Sequence, residues 1–431
     1  MPQKNSPAVN LNLNVRGLPL SATLRINEIS NQMIREGKHV FKLGLGQSPF
    51  PVPAPVEEEL KANAFQKDYL PVLGLSELRK AISAYFARTQ AVTYGFDNIM
   101  VGPGSKELMF ILQLVYYGDL VIPTPSWVSY APQAHIIGRP IRWLPTKASH
   151  GWRLSPQEIE NVFKMDPERP RLLILNYPNN PHGSSYSTNE LREIARIAKK
   201  YRVVLLSDEI YGELKHNGEH ISIARFYPEG TIISSGLSKW CGAGGWRLGV
   251  FAFPESLTWL KNAMAAVASE TFTSTSAPIQ YAAVRAFEGG REIEDYLFRS
   301  RMILKALGKQ MVKEMTEANI AVNMPDGAFY LFPDFSHFRD KLLQNDIENS
   351  EQLCERLLSE TGIAILPGSA FGRPPNELTA RLSYVDFDGA KILTATHRFS
   401  DGQEPDVHFL EVYAPNCIRA IRIMVEWLKK L

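Results

Sequence analysis

Between about residue 75 and residue 255, bare apolar runs alternate with stretches whose apolar positions recur at helical spacing. The runs are NIMVG (98–102), DLVIP (119–123), PIRWLP (140–145), RLLILN (171–176), RVVLLSD (202–208), TIISSG (231–236) and LGVFAF (248–253). They predict seven strands. SELRKAISAYFART (76–89), SKELMFILQLVYYG and TNELREIARIAKKY (188–201) predict helices between them, the last capped by Ser187 or Thr188. Strands apolar on both faces belong to a sheet covered by helices on both sides, which is the habit of parallel sheets. The expected fold class is therefore α/β, a large domain around a central, mostly parallel seven-stranded sheet.

Beyond residue 256 the pattern changes. LTWLKNAMAAVASE and EIEDYLFRSRMILKALGKQMVKEM read as long helices. Strand-like GAFYLFPDF (327–335), helical SEQLCERLLSETG (350–362), strand-like RLSYVDF (381–387) and a terminal helix NCIRAIRIMVEWLKKL then form a smaller α+β unit. SATLRINEISNQMIREG is a helix expected to join that second unit. The division is residues 1–55 as an N-terminal arm and part of the small domain, 56–300 as the large domain and 301–431 as the small C-terminal domain. Residues 388–410 (DGAKILTATHRFSDGQEPDVHFL) read as a polar, irregular insertion, a loop or flap.

Composition adds exclusions. A net charge of +2 gives no basic field for nucleic acid. No apolar run approaches a membrane span, and MPQKNSPAVNLNLNVRG lacks the apolar core of a secretory signal. Cys241, Cys354 and Cys417 fit no metal spacing and suit a reducing compartment. A cytoplasmic enzyme is the expectation. His216 and His220 in HNGEH sit in a Gly/Asn turn rather than at helical spacing, so no metal site is expected. LGLG and GAGG lack the layout of a dinucleotide fingerprint.

Candidate chemistry lies at the carboxyl ends of the predicted strands, where parallel sheets bind ligands. After NIMV comes GPGSKE, a glycine turn into a helix whose amides suit a phosphate (Gly104, Ser105, Lys106). TPSW places Trp127, YPNNPHG places Asn180, and DEIY places Asp208 and Tyr211. SSGLSKWCGAGGWRLG (234–249) places Lys239 and, eight residues on, Arg247 among glycines. Together these groups suit a flat heteroaromatic ring carrying a phosphate and an aldehyde. A desolvated lysine condenses with the aldehyde, a carboxylate keeps a pyridine nitrogen protonated, and Asn180 and Tyr211 serve a ring oxygen. A guanidinium with backbone amides holds the phosphate, and Trp127 stacks on the ring.

In these motifs the chain resembles the pyridoxal-phosphate-dependent aminotransferases of class I/II, the fold-type I group. GLSKWCGAGGWRLG resembles the family's lysine signature, NYPNNPHG its N-x-P-x-N-P-x-G segment and SDEIY its D-E-x-Y segment. YLPVLGLSELRKAI, GAFYLFPDF, LPGSAFG and the arginine of RLSY follow in family order. The resemblance implies that pyridoxal 5'-phosphate is the cofactor and Lys239 its Schiff-base lysine. Asp208 would face the pyridine nitrogen, Asn180 and Tyr211 the ring oxygen, and Arg247 and Ser105 the phosphate. Arg381 would bind the substrate carboxylate. Tyr69 would reach the phosphate of a neighbouring subunit, which implies a homodimer with shared sites. Two departures stand out. Gly236 replaces a phosphate-binding serine of many relatives, passing that contact to Ser235 or Ser238. GQSPF (46–50), whose Gly46 faces substrate, replaces G-E-P-x-F.

The implied activity is ping-pong transamination between an L-amino acid and a 2-oxo acid. Lys106 and the SAT segment (Ser21–Thr23) lean towards aspartate or glutamate, with aromatic or aliphatic substrates as the other reading. ASETFTSTSAP (268–278) leans the other way, since it lacks the arginine that aspartate-specific relatives borrow from a partner subunit. Two alternatives share the constellation. One is a lyase of the aminocyclopropane-carboxylate synthase or carbon–sulfur type. The other is a non-catalytic effector-sensing module, which normally carries an added DNA-binding domain.

Overall fold

The computed structural model describes residues 10–399 and 403–431. Its centre is one seven-stranded sheet. The strands are β1 (Ile99–Gly102), β2 (Asp119–Thr124), β3 (Ile141–Pro145), β4 (Arg171–Asn176), β5 (Val204–Asp208), β6 (Thr231–Gly236) and β7 (Gly249–Ala252). They lie in the order β1-β7-β6-β5-β4-β2-β3, all parallel except β7, which runs antiparallel to both neighbours. All seven apolar runs became strands of this sheet, as expected. Leu172, Leu173, Ile174, Leu205, Leu206, Ile232 and Ile233 are buried on its two faces.

Register aligns the chemistry. Asn176 pairs with Asp208, and Asp208 with Ser234, so three strand ends present polar groups side by side. The helices flanking the sheet include α1 (Ser76–Gln90), α2 (Ser105–Val115) and α3 (Thr188–Lys200). Ser187 is the cap of α3. Its hydroxyl accepts from the Glu190 amide and the Glu190 carboxylate accepts from the Ser187 amide, a reciprocal capping box.

The smaller unit surrounds a three-stranded antiparallel sheet of Leu366–Pro367, Ala380–Ser383 and Tyr330–Leu331. The strand expected over 327–335 is only two residues long. Ala328, at φ 58, lies outside the extended region, and Pro333 has no amide to donate to a ladder. Helix Ala22–Arg35 packs on this unit through Ala22, Ile26 and Met33, as its sequence suggested. Helix Arg291–Glu317 runs unbroken across residue 300.

The reading of 388–410 as an irregular loop is overturned. Helices Gly389–Thr396 and Val407–Tyr413 occupy it, capped by the Asp388 and Asp406 carboxylates; Ser400–Gly402 lie outside the described residues. Their apolar sides, Ile392, Phe409 and Leu410, are buried in the main core. Asp388 and Asp406 were the cap signals in this stretch, and the polar residues around them hid the short apolar faces. The segment is core scaffold, not a flap.

Candidate active site

A cavity of about 520 Å3 opens at the carboxyl ends of β4, β5 and β6, between the sheet and the smaller unit. It is lined by four cationic side chains, Lys106, Lys239, Arg247 and Arg381, and one carboxylate, Asp208. Such an excess of positive charge in one cavity calls for an anionic ligand. A phosphate of charge about −2 and one carboxylate would balance it.

Lys239 lies on the loop after β6, and its Nζ donates to the Gly46 carbonyl at 2.7 Å. Burial, then Arg381 and Arg247, push its pKa down to about 8, partly countered by Asp208. A free amine is therefore accessible near neutral pH, which a nucleophile for an aldehyde requires. Its Nζ stands 5.7 Å from the Tyr211 ring centroid.

Asp208, the last residue of β5, is buried, and burial pushes its pKa up to about 6. The Tyr130 hydroxyl donates to Oδ2 at 2.5 Å and the Ser234 hydroxyl to Oδ1 at 3.3 Å. Its backbone carbonyl accepts from Asn176 Nδ2 at 2.9 Å. Asn176 Oδ1 in turn accepts the Asn180 amide at 2.8 Å, so one asparagine fixes both neighbours. Arg381 Nη1 donates to Asn180 Oδ1 at 3.3 Å, which leaves the Asn180 side-chain amide free as a donor into the cavity. Tyr211 shares a 2.7 Å hydrogen bond with Tyr330.

At the opposite end, Arg247 (φ 57) donates to the carbonyls of Gly244 at 3.0 Å and Pro103 at 3.4 Å. The start of α2 lies beside it. Gly104 has φ +91, and a Cβ there would sit 2.1 Å from Arg247 Nη2. A Cβ on Gly249 would sit 2.0 Å from the Ser105 amide nitrogen. Any side chain at either position would fill the space between guanidinium and helix amides. These glycines let Arg247 and β7 pack directly against the start of α2, beside the helix amides that suit a phosphate.

Eleven of the fourteen residues singled out in the sequence line the cavity: Gly46, Ser105, Lys106, Trp127, Asn180, Asp208, Tyr211, Ser238, Lys239, Arg247 and Arg381. The other three do not. Gly104 packs against Arg247. Ser235 is buried within β6 opposite Val250. A Cβ on Gly236 would come 2.6 Å from the Leu248 carbonyl, so a serine has no room there, and Ser238 is the hydroxyl facing the cavity. Tyr69 is 91% exposed.

Tyr130 and Tyr330 were missed. Tyr330 sits within GAFYLFPDF and Tyr130 three residues beyond TPSW, but an apolar-looking tyrosine gives no signal until its partner is known. Trp127 meets Tyr130 edge-on at 5.2 Å, and Lys106 Nζ lies 5.1 Å from the Trp127 centroid. Tyr130 carries a prediction. Its hydrogen bond holds Asp208 below the pKa that burial alone would set. Tyr130→Phe should raise that pKa and weaken cofactor binding at neutral pH about tenfold, measured by equilibrium dialysis against the cofactor.

Fold and site together define a pyridoxal-phosphate-dependent transaminase. The family described as aminotransferase class I and II matches residues 38–395. The aspartate aminotransferase of Geobacillus stearothermophilus is 32% identical over 381 residues, covering 86% of this chain and 93% of the relative. The asparagine–oxo-acid transaminase of Streptococcus mutans is 30% identical over 391 residues, covering 85% and 92%. Among solved structures, aspartate aminotransferase from Thermus thermophilus with maleate superposes with a TM-score of 0.83 at 26% identity, covering 97% of this chain and all of that one. The chain belongs to the aminotransferase class I and II family.

Proposed function

We propose that the protein transfers the amino group of an acidic L-amino acid, aspartate or glutamate, to a 2-oxo acid by a ping-pong mechanism. The observation that supports this reading is a second cation. Lys106 lies in the same cavity as Arg381 and faces Trp127, with Ser21, Thr23 and Asn27 of the N-terminal helix also lining the space. Burial lowers the Lys106 pKa, with Arg247 adding to the effect, and a substrate carboxylate placed beside it would favour the charged ammonium. Relatives named as aspartate aminotransferases lean the same way.

When bound, pyridoxal phosphate supplies an aldehyde that links to amines and a ring that takes up the electron pair left by α-proton removal. Ser105, Ser238 and Arg247 would hold its phosphate, Asp208 its ring nitrogen, Asn180 and Tyr211 its ring oxygen, and Trp127 one face. Arg381 grips the substrate α-carboxylate and fixes which Cα–H bond faces Lys239. Lys239 Nζ takes the proton from the substrate α-carbon and gives it up again, so over that transfer the amine neither gains nor loses a proton.

In the same reading the enzyme is a cytoplasmic homodimer. Tyr69 lies outside its own chain's cavity and is free to reach the phosphate of a partner subunit. Cys241, Cys354 and Cys417 are free thiols, and no helix among the described residues is long and apolar enough to cross a membrane. The substrate is tested by initial rates with aspartate, glutamate, phenylalanine and leucine. Lys106→Met should raise KM for aspartate about ten- to a hundredfold and leave leucine nearly unchanged. Equal effects on both would overturn the acidic reading.

A further inference from the structure

Behind Asp208, on the far side from the cavity, lies a second buried carboxylate that the reaction does not use. Glu209 is 5% exposed and its partner His220 9%. Successive residues at a strand end point to opposite sides, so Ser207 and Glu209 face away from the cavity that Asp208 lines. Glu209 Oε1 accepts from Ser222 Oγ at 2.5 Å, Ser207 Oγ at 2.7 Å and Tyr177 Oη at 3.4 Å. Oε2 lies 2.8 Å from His220 Nε2. A carboxylate only accepts, so His220 carries its proton on Nε2. Nδ1 is buried with no hydrogen-bond partner among the described residues. Among the described residues the imidazole has one polar attachment, and that is Glu209.

The same ring also touches the backbone beyond Tyr211. A Cβ on Gly212 would lie 2.9 Å from His220 Cδ2, so the ring rests directly on that residue. Tyr177 covers the ring, with centroids 5.2 Å apart, and its amide nitrogen donates to the Asp208 carbonyl at 3.3 Å. The Glu209 amide donates to Ser234 O at 2.9 Å. The tight turn from Asp208 to Gly212 is thus held at Asp208 O, at Glu209 and at Gly212, all from behind.

We infer that Glu209 and His220 form a buried positioning pair that aims Asp208 and Tyr211 into the cavity, and thereby sets cofactor affinity and turnover without touching either ligand. Histidine in the HNGEH turn thus acts as a clamp on the adjacent strand end rather than as a metal ligand. The inference rests on the proposed role of Asp208 at the ring nitrogen. Truncating His220 leaves a buried charge short of one donor, which relaxes the turn, and the displacement falls on the two side chains the turn presents.

The test uses the full-length protein, titrated with pyridoxal phosphate, with four readouts: dissociation constant, visible absorption of the bound cofactor, kcat against KM, and thermal unfolding without cofactor. His220→Ala should raise the dissociation constant about tenfold or more, shift the visible band, and lower kcat more than it raises KM. His220→Gln, which keeps a donor near the Nε2 position, should recover most of each. Should His220→Ala fail to fold, Ser222→Ala, which removes one donor and keeps the imidazole, should weaken cofactor binding roughly two- to tenfold. Lower unfolding temperature with wild-type cofactor affinity and spectrum would overturn the inference and leave the pair a stabilising contact only. Asp208→Asn separates the two layers. If it weakens cofactor binding while His220→Ala does not, the positioning role falls and the assignment of Asp208 stands. If Asp208→Asn binds cofactor as the wild type does, the assignment of Asp208 falls, and the role of the pair with it.

Discussion

Lys239→Met should abolish transamination, lowering kcat by at least about 10⁴-fold, because in the proposed mechanism one amine supplies both the attachment to the aldehyde and the proton transfer. The same substitution should raise the unfolding temperature of the cofactor-free protein. Lys239 is held at about pKa 8, well below an ordinary lysine, by burial and by Arg381 and Arg247. A folded-state pKa below the unfolded one means that the protonated amine opposes folding. That penalty is full below about pH 8 and fades as pH rises towards the ordinary lysine value. Methionine fills similar volume without the charge, so activity and stability move in opposite directions. A variant that lost both would show a structural lysine and defeat the catalytic assignment. The wild-type protein offers a second check. Its rate of capture of pyridoxal phosphate should climb with pH and level off above about 8, since roughly a tenth of the amine is free at pH 7.

The large sheet was legible because each strand is a bare apolar run bounded by polar turns, and a parallel sheet buried on both faces demands that pattern. The glycines around Arg247 and the start of α2 were equally legible. Gly104 and Gly249 have no rotamers to choose, and the structure shows a Cβ clash at each. Less was visible where a residue works through a partner distant in sequence. Tyr130 is 78 residues from Asp208, and Tyr330 is 119 from Tyr211. Nothing local distinguishes them from core aromatics. Ser235 and Ser238 could not be separated by spacing, since the choice depends on where β6 ends; pairing to Gly236 puts Ser235 inside the strand. Helices Gly389–Thr396 and Val407–Tyr413 are only eight and seven residues long, too short for their apolar faces to stand out.

Arg381→Lys should cost about a hundredfold or more in kcat/KM for amino acids, although it keeps the charge. Arg381 is buried, with its guanidinium 4.9 Å from the Tyr330 centroid and 5.2 Å from that of Phe371. Nη1 donates to Asn180 and Nη2 to the Gly44 carbonyl, while Nε is buried without a partner among the described residues. An ammonium cannot stack as a plane between those rings or offer a fork to a carboxylate. It also lacks a reserve of basicity. Burial lowers the Arg381 pKa, yet a guanidinium starts so high that it stays charged. An amine in the same dry space, with Lys239 already at about 8 beside it, would lose its proton near neutral pH. The lysine variant should therefore bind substrate progressively worse as pH rises through about 8, over a range where the wild type holds its KM. Cofactor affinity should fall far less than kcat/KM, since the phosphate is assigned to Arg247 and the ring nitrogen to Asp208, and only the Asn180 contact is disturbed. A KM that tracks the wild type across that range would remove Arg381 from the substrate carboxylate.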